Sequence, residues 1–259
     1  MKSNKNDAAD AEAICEAMLR PNMRFVSPKS VAQQDIQSLH RVRSRLVRSR
    51  TALVNEIRGV LAEYGVVLSK SVGIVRNNLT AAVEKAVDQG QMTTMSQQTF
   101  TDLGSELGDL DLRIAKLDDK IQAIYRSHPV CRKLSKVPGV GPMTATALVA
   151  AVSDPSSFTN GRQFAAWLGL VPKQHSSGGK ERLLGISKRG DVYLRTLLIH
   201  GARAVIRWRD EDSQEKRTQW LNRLVERRGC NRAAVALANK NARQMWVLMA
   251  RNEEYSAAA

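Results

Sequence analysis

The sequence has few of the residues that build disulfide scaffolds, and it lacks long apolar runs. Its three cysteines, Cys15, Cys131 and Cys230, lie far apart without any C-x-x-C pairing, which argues against a zinc site and against a disulfide framework. No apolar run approaches the roughly 18 residues that cross a bilayer. The start of the chain is polar and charged, unlike a signal peptide. We therefore expect a protein of the reducing cytoplasm with no membrane segment.

Acidic residues are scarce relative to basic ones. The 259 residues include 25 Asp and Glu against 40 Lys and Arg, which gives a formal net charge of +15. Such an excess predicts a polyanionic partner, nucleic acid before membrane, although a merely soluble basic protein is the alternative. Residues 176–251 alone hold 17 Lys and Arg against 7 Asp and Glu. The length is enough for two domains and a spacer.

Helical periodicity dominates the chain and predicts a mainly α fold. We expect helices over 7–19, 28–64 and 93–125, and an irregular connection with a short helix over 65–91. Further helices are expected over 196–210, 213–228 and 231–251. Trp208, Trp220 and Trp246 fall on the apolar faces of these last helices, so core packing is favoured over base stacking.

Leucine and isoleucine alternate at four- and three-residue spacing along the helix predicted at 93–125. This spacing is typical of a coiled-coil seam. It predicts either an antiparallel hairpin with the preceding long helix or an interface between subunits. The seam residues are Leu103, Leu107, Leu110, Ile114, Leu117, Ile121 and Ile124.

Five arginines lie within ten residues of the helix predicted at 28–64. They are spaced two and three apart, so they fan over more than half of the helix circumference and cannot all lie on one solvated stripe. Contact with DNA phosphates is favoured over a solvated flank because the chain is basic overall. Arg50 closes the run, and the candidate DNA-binding residues are Arg41, Arg43, Arg45 and Arg48.

The most informative stretch runs from Lys136 to Arg195. It opens with the turn P-G-V-G-P, in which Gly139 and Gly141 permit close backbone approach before a helix whose N-terminus offers free N–H groups to an anion. A polar sequence, H-S-S-G-G at 175–179, then leads into a basic tract. The pattern predicts a phosphate-gripping turn followed by a flexible loop with a serine at its tip. The cations of the tract, all candidates for phosphate binding, are Lys180, Arg182, Lys188, Arg189 and Arg195.

Two acids stand near the start of the chain in the motif K-N-D-A-A-D-A at 5–11. Asp7 and Asp10 are three residues apart, so both carboxylates project from one helical face. From the residues alone, a cap or first-turn acids that complement the helix dipole are favoured. Metal-ligating carboxylates are the alternative.

Several of these motifs together resemble one protein family. V-P-G-V-G-P-x-T-A, F-A-A-W-L-G-L-V-P, S-S-G-G-K and I-S-K-R-G-D-x-Y-L-R resemble the C-terminal domain of insertion-sequence transposases of the DEDD-plus-serine type, the insertion sequence 110 family, which includes bridge-RNA-guided recombinases. The motif at 5–11 resembles the K-x-D-x-x-D-A motif that closes the family's RuvC-like metal domain. The resemblance covers nearly the whole chain.

The resemblance implies DNA strand cleavage and exchange through a covalent phosphoserine. It places the nucleophile at Ser177, with Ser176 as the alternative, and it makes Asp7 and Asp10 two of four catalytic, metal-binding acids for Mg²⁺. His175 is a candidate base, although an exposed histidine without a role is the commoner case. The implied partners are DNA, a structured guide RNA in part of the family, and further copies of the chain, all in the bacterial cytoplasm.

The resemblance also implies a domain organisation. We expect a remnant of a RuvC-like, RNase H-fold domain at 1–27, a helical coiled-coil spacer at 28–128, a C-terminal transposase domain with a helix-hairpin-helix-like turn at 129–251, and a disordered tail at 252–259. The family's first Asp and its Glu have no counterpart before Asp7, so we expect an N-terminally truncated chain with an incomplete acid site. A non-catalytic DNA- or RNA-binding fragment and a DNA-repair factor that uses the glycine turn are the alternatives.

Overall fold

A computed structural model describes residues 6–21, 23, 25–251 and 253–255, and of Ser177 the backbone alone. Most of the described chain is helical, so the mainly α prediction is confirmed. The helices are α1 (Asp7–Leu19), α2 (Val31–Glu63), α3 (Val72–Asp88), α4 (Thr94–Ser127), α5 (Pro129–Leu134), α6 (Pro142–Ala151), α7 (Gly161–Trp167), α8 (Val192–Arg207), α9 (Lys216–Arg228) and α10 (Cys230–Ala250). The strands β1 (Pro172–Ser177) and β2 (Lys180–Ile186) form one antiparallel hairpin.

The long helices α2 and α4 pack side by side as an antiparallel hairpin. Arg43 pairs with Asp118, and Arg50 with Asp111, so positions that advance along α2 retreat along α4. The seam predicted on α4 lies between the two helices, where Leu107 is fully buried. Of the two arrangements that the spacing allowed, the structure has the intramolecular hairpin.

The connection between the two long helices contains the helix that was predicted there, but this helix is longer than expected, with 17 residues. It is α3, whose apolar residues recur at helical spacing and pack into the same core as α2 and α4. Gly73 and the pair Asn77-Asn78 suggested loops, but burial of the apolar face outweighs their low helix propensity. The buried residues of α3 are Val75, Leu79, Val83 and Ala86.

The start of α2 is fixed by a capping box rather than by Pro28. The Ser30 hydroxyl accepts a hydrogen bond from the Gln33 backbone N–H at 3.2 Å, and the Gln33 side chain accepts one from the Ser30 backbone N–H at 3.1 Å. The Gln33 amide nitrogen also donates to the Val149 and Val152 carbonyls at the end of α6. One side chain thus begins α2 and satisfies the last carbonyls of α6.

A second core lies among α5 to α10. Its largest fully buried side chains include Phe164, Leu148 and Leu198, and Trp246 of α10 is 6% exposed. Trp220 is half-buried against this core, whereas Trp208 at the end of α8 is 79% exposed, so its predicted core position is wrong. Trp208 follows the last residue of α8, and the Arg207 guanidinium carbon lies 5.4 Å from the centre of its ring.

The last described residues contact the C-terminal domain. Glu254 forms ion pairs with Lys136 at 2.5 Å and Lys133 at 3.8 Å, and the Tyr255 hydroxyl accepts a hydrogen bond from Arg217 at 3.0 Å. Residues 253–255 belong to the tail predicted at 252–259. Its other residues lie outside the described part of the chain.

His40 of α2, which is 3% exposed, is one of the residues that join the helical hairpin to α6 and α8. Its Nε2 lies 3.0 Å from the Thr146 hydroxyl and its Nδ1 lies 3.0 Å from the Tyr193 hydroxyl. Because the Thr146 hydroxyl donates to the Pro142 carbonyl at 2.7 Å, it must accept from His40 Nε2–H, and the Tyr193 hydroxyl then donates to Nδ1. The network therefore fits a neutral imidazole.

We expect the folded protein to lose stability as the pH falls from 6.5 to 4. Burial, aided by the charge of Arg43, lowers the pKa of His40 to about 4. Between pH 6.5 and 4, His40 therefore binds a proton in the unfolded chain, where its pKa is ordinary, but stays neutral in the folded chain. The loss should reach about 3 kcal/mol at pH 4. Urea unfolding at several pH values measures it, with His40→Gln as the control that removes this component; equal pH slopes in both proteins would contradict the assignment.

Candidate functional site

The serine-bearing segment is a β-hairpin and not the predicted flexible loop. Ser177 is the last residue of β1, and the turn consists of Gly178 and Gly179, with φ values of +58° and +75°. Two residues with positive φ match the right-handed twist of paired strands, which is why Gly-Gly is favoured in such turns. That dipeptide between two short polar runs was the signal for a hairpin, but the runs have too few β-branched residues to be recognised as strands.

The register of the hairpin sorts its side chains into two faces. His175 lies opposite Arg182, and position 177 lies opposite Lys180. Opposite positions share a face, as do positions two apart on one strand. His175, Lys180 and Arg182 therefore belong to the face of position 177.

The other face of the hairpin is less suited to a phosphate. Ser176 lies opposite Glu181, and its hydroxyl accepts a hydrogen bond from the Gln174 amide at 2.9 Å. A carboxylate opposite Ser176 repels an anion there, whereas an ammonium opposite position 177 attracts one. The two serine positions therefore differ in the charge of the residue opposite them.

Two further candidate cations, Lys188 and Arg189, are exposed where β2 leads into α8. A cleft of about 360 Å³ lies beside them, between α7 and the base of the hairpin, and Arg189 and His175 both line it. Lys188 has a φ of +56°, the one positive value among described non-glycine residues. Such a conformation is strained for a side-chain-bearing residue and is often found at functional sites.

The five arginines of residues 41–50 on α2 divide into two sets that sequence reasoning did not separate. Arg43 and Arg50 are half-buried and pair with carboxylates of α4, so they stabilise the helical hairpin. Arg41, Arg45 and Arg48 are exposed and follow one another at spacings of four and three, which places them on one face. Arg43 is therefore a structural residue, and the other three form the exposed stripe.

Arg195, predicted as a phosphate contact, is 8% exposed. Its Nη1 donates to the Leu168 and Arg189 carbonyls, at 3.3 Å each. A guanidinium held inside the domain by backbone carbonyls is not presented to DNA. We therefore remove Arg195 from the candidate phosphate contacts.

The glycine turn is used mainly for packing. Gly139 has a φ of +86°, and a side chain there would lie 2.7 Å from the Gly201 carbonyl oxygen of α8, so the turn and the helix touch through their backbones. The Asn241 amide of α10 also donates to the Pro138 carbonyl at 2.8 Å. Gly141 is exposed as the N-cap of α6, and its neighbourhood remains the part of the turn open to an anion.

The two acids lie on α1 and are exposed to solvent. Asn6 caps this helix by accepting a hydrogen bond from Ala9, so Asp7 and Asp10 are first-turn acids rather than caps. α1 has no buried residue. Among the described residues, no group of three or more His, Cys, Asp or Glu side chains could hold a metal ion.

Across the described residues, none of the helices has both the length and the apolar composition needed to cross a membrane.

Comparison with known proteins identifies the class. Residues 1–66 match a family of transposases, and residues 131–217 match the transposase IS116/IS110/IS902 family. The chain is 50% identical over 255 residues to a probable family 20 transposase of Pseudomonas aeruginosa, covering 98% of this chain and 75% of that protein. It is 47% identical over 259 residues to the transposase for insertion sequence element IS1111A of Coxiella burnetii. This match covers 100% of this chain and 70% of that protein.

A third relative, the transposase for insertion sequence element IS1328 of Yersinia enterocolitica, is 36% identical over 256 residues, covering 99% of this chain and 75% of that protein. The class is thus that of insertion-sequence transposases. The chain belongs to the IS116/IS110/IS902 transposase family.

Proposed function

We propose that the chain binds DNA through its phosphates and presents Ser177 to a phosphodiester as the nucleophile of transposition. The observation that carries the proposal is the hairpin register, which puts position 177 opposite Lys180 and on the face of Arg182. Serine is a weak nucleophile, and the attacked phosphate gathers negative charge on its oxygens, so nearby cations lower the barrier.

The DNA surface that we propose joins the hairpin face to the exposed arginines of α2. Arg41 and Ser44 of α2 line a cleft together with Asp191 and Tyr193 at the start of α8. Lys188 and Arg189 lie three and two residues before Asp191, so the two basic groups approach each other at this junction. Phosphate contacts of this kind position DNA without reading its sequence.

In the proposed step the Ser177 oxygen forms a bond to phosphorus and the bond from phosphorus to a deoxyribose oxygen breaks. The serine hydroxyl proton passes to a water molecule as the new bond forms, and the departing deoxyribose oxygen takes up a proton from water as it becomes a hydroxyl. Lys180 and Arg182 would stabilise the charge on the phosphate oxygens. Strand exchange reverses the step with a different deoxyribose hydroxyl.

The described residues supply only part of the ligand set for the Mg²⁺ that the family resemblance implies. Carboxylates suit Mg²⁺, which prefers six oxygen ligands, but Asp7 and Asp10 are the two that the family motif supplies. The described residues do not complete such a site. Further carboxylates would have to come from beyond the described residues or from another chain, so we assign no step to a metal.

The same shortfall favours a second candidate function, which is DNA binding without strand cleavage. For either function we expect a homo-oligomer that acts in the cytoplasm, and a guide RNA would use the same phosphate-binding cations as DNA. The apolar side chains of α1 and the next segment are the exposed surface for contact between copies; they include Ile14, Met18, Phe25 and Val26.

A triple variant in which Arg41, Arg45 and Arg48 are all replaced by glutamine should bind DNA about tenfold more weakly or worse. The slope of log affinity against log salt should fall by about 2 to 3, because about three phosphate contacts are lost. Arg43→Gln should instead lower the stability of the helical hairpin and leave the salt slope unchanged. Fluorescence anisotropy with a labelled duplex measures both quantities.

A charge-matched control is available on α4, where Arg113, Lys116 and Lys120 are exposed at spacings of three and four. Replacing these three with glutamine should change binding much less than the α2 triple. Equal losses from the two triples would contradict a defined DNA surface on α2 and leave only a general charge effect.

Covalent protein–DNA adducts test the serine. The chain is incubated with labelled insertion-sequence ends and Mg²⁺, alone and with an intact relative whose own serine has been changed to alanine to supply the acids. We expect an adduct of the mass of this chain in the mixture and none with Ser177→Ala, which should still bind DNA. An adduct that persists in Ser177→Ala contradicts the assignment, and no adduct from the parent chain supports the non-catalytic function.

A further inference from the structure

The β-hairpin depends on its base for its direction. In the described part of the chain, neither β1 nor β2 packs extensively against a helix, and nearly all of their side chains are exposed. A two-stranded hairpin without such packing is held only by what joins it to the domain. Residues 168–171 and 187–190, at the two ends of the hairpin, therefore determine where the turn lies relative to the domain.

The two ends of the hairpin are joined by close backbone contacts. The Ser187 N–H donates to the Val171 carbonyl at 2.7 Å, and the Lys188 N–H donates to the Gly169 carbonyl at 3.2 Å. Gly169 and Gly190 have positive φ, and a Cβ on Gly190 would overlap the Trp167 carbonyl oxygen. Residues 167–171 and 187–190 thus pack backbone against backbone, with no space for side chains between them.

Arg195 contacts both of these segments from inside the domain. Its Nη1 bridges the Leu168 carbonyl, on the side where the hairpin begins, and the Arg189 carbonyl, on the side where it ends. Leu168 is the C-cap of α7, and the carbonyl end of a helix favours a cation. Burial of a charge is unfavourable unless it is well bonded, so these carbonyls are the partners that keep the guanidinium in place.

We propose that Arg195 is a positioning residue that holds both ends of the hairpin and thereby fixes where the turn, with Ser177 and Lys180, meets DNA. The role of Ser177 in this statement rests on the proposed function, but the mechanical role of Arg195 does not. Arg195 acts through the Leu168 and Arg189 carbonyls and never touches the phosphate.

Spin-label distances test the mechanical role in the full 259-residue chain. Exposed Cys15 and Cys230 are changed to serine, buried Cys131 is kept, and labels are placed at Glu181→Cys in the hairpin and His200→Cys on α8. We expect one narrow distance distribution in the parent, a broad one in Arg195→Met, and an unchanged one in Arg162→Met, which removes an exposed arginine of α7. An unchanged distribution in folded Arg195→Met overturns the proposal.

If circular dichroism shows that Arg195→Met does not fold, Arg195→Lys decides. Its side chain keeps the charge but is one bond shorter, so it cannot reach both carbonyls in their present positions. A broadened distribution in Arg195→Lys then supports the proposal, and the parent distribution overturns it.

DNA binding and adduct formation separate positioning from phosphate contact. Folded Arg195 variants should bind duplex with a Kd within about twofold of the parent and the same salt slope, because no phosphate contact is lost. Adduct yield should fall at least about tenfold, since the serine is no longer held near the phosphate. A lower salt slope would overturn the proposal in favour of direct phosphate contact. If the parent forms no adduct, the serine chemistry fails and the distances still decide the role of Arg195.

Discussion

Replacing Leu110 with aspartate should unfold the helical hairpin of α2 and α4 or weaken it by about 4 kcal/mol or more. Leu110 is 7% exposed on the seam of α4, where it packs in the core formed by α2, α3 and α4. The substitution removes a buried leucine side chain and places a carboxylate among apolar neighbours such as Leu107 and Ile114. Neither loss can be recovered by a change of rotamer because the seam residues one turn before and one turn after, Leu107 and Ile114, are also buried.

Leu112→Asp is the matched control on the same helix. Leu112 is 62% exposed, so the same change two residues away should alter stability by less than about 1 kcal/mol. Urea unfolding followed by circular dichroism compares the two variants. Similar stabilities would mean that the seam does not face α2.

Replacing Gly201 with alanine should destabilise the C-terminal domain by about 3 kcal/mol or more, because the added methyl group has no space. Gly201 lies in α8 against the glycine turn, and its Cβ would overlap the Gly139 carbonyl oxygen. Backbone atoms cannot rotate away as side chains do. The turn would have to leave α8, which would also strain the hydrogen bond from Asn241 to the Pro138 carbonyl.

Gly108→Ala in α4 provides the opposite result. A Cβ at Gly108 meets nothing within 4 Å, so alanine should stabilise this helix by about 0.5–1 kcal/mol through its higher helix propensity. Thermal unfolding of the two variants measures both signs. A Gly201→Ala protein as stable as the parent would show that the turn does not pack on α8.

The helices were largely predictable because each carries its own periodic apolar face. α1 was predicted with its observed ends. Four of the seven residues predicted for the seam of α4 are buried, namely Leu107, Leu110, Ile114 and Ile121. The errors fell where local preference and tertiary packing disagree. α3 contains glycine and asparagine but buries an apolar face. Trp208 continues the apolar pattern of α8 but is exposed to solvent at the end of that helix.

The candidate site was predictable as a set of residues but not as an arrangement. The motif around Ser177 drew attention to the segment, yet its strands are polar, and only the Gly-Gly turn indicated a hairpin. The cations were recognised by charge alone. Charge does not distinguish Arg182, exposed on the hairpin, from Arg195, buried beneath it.

The sequence by itself determined the mainly α fold, the basic character and the family motifs, because periodicity, composition and short motifs are local properties of the chain. Only the tertiary structure decided which arginines face solvent, since Arg43 and Arg195 are occupied by partners 75 and 27 residues away. It likewise decided that Gly139 serves packing, because the need for glycine arises from the Gly201 backbone of another helix. Such roles depend on contacts between distant segments, and no local pattern records them.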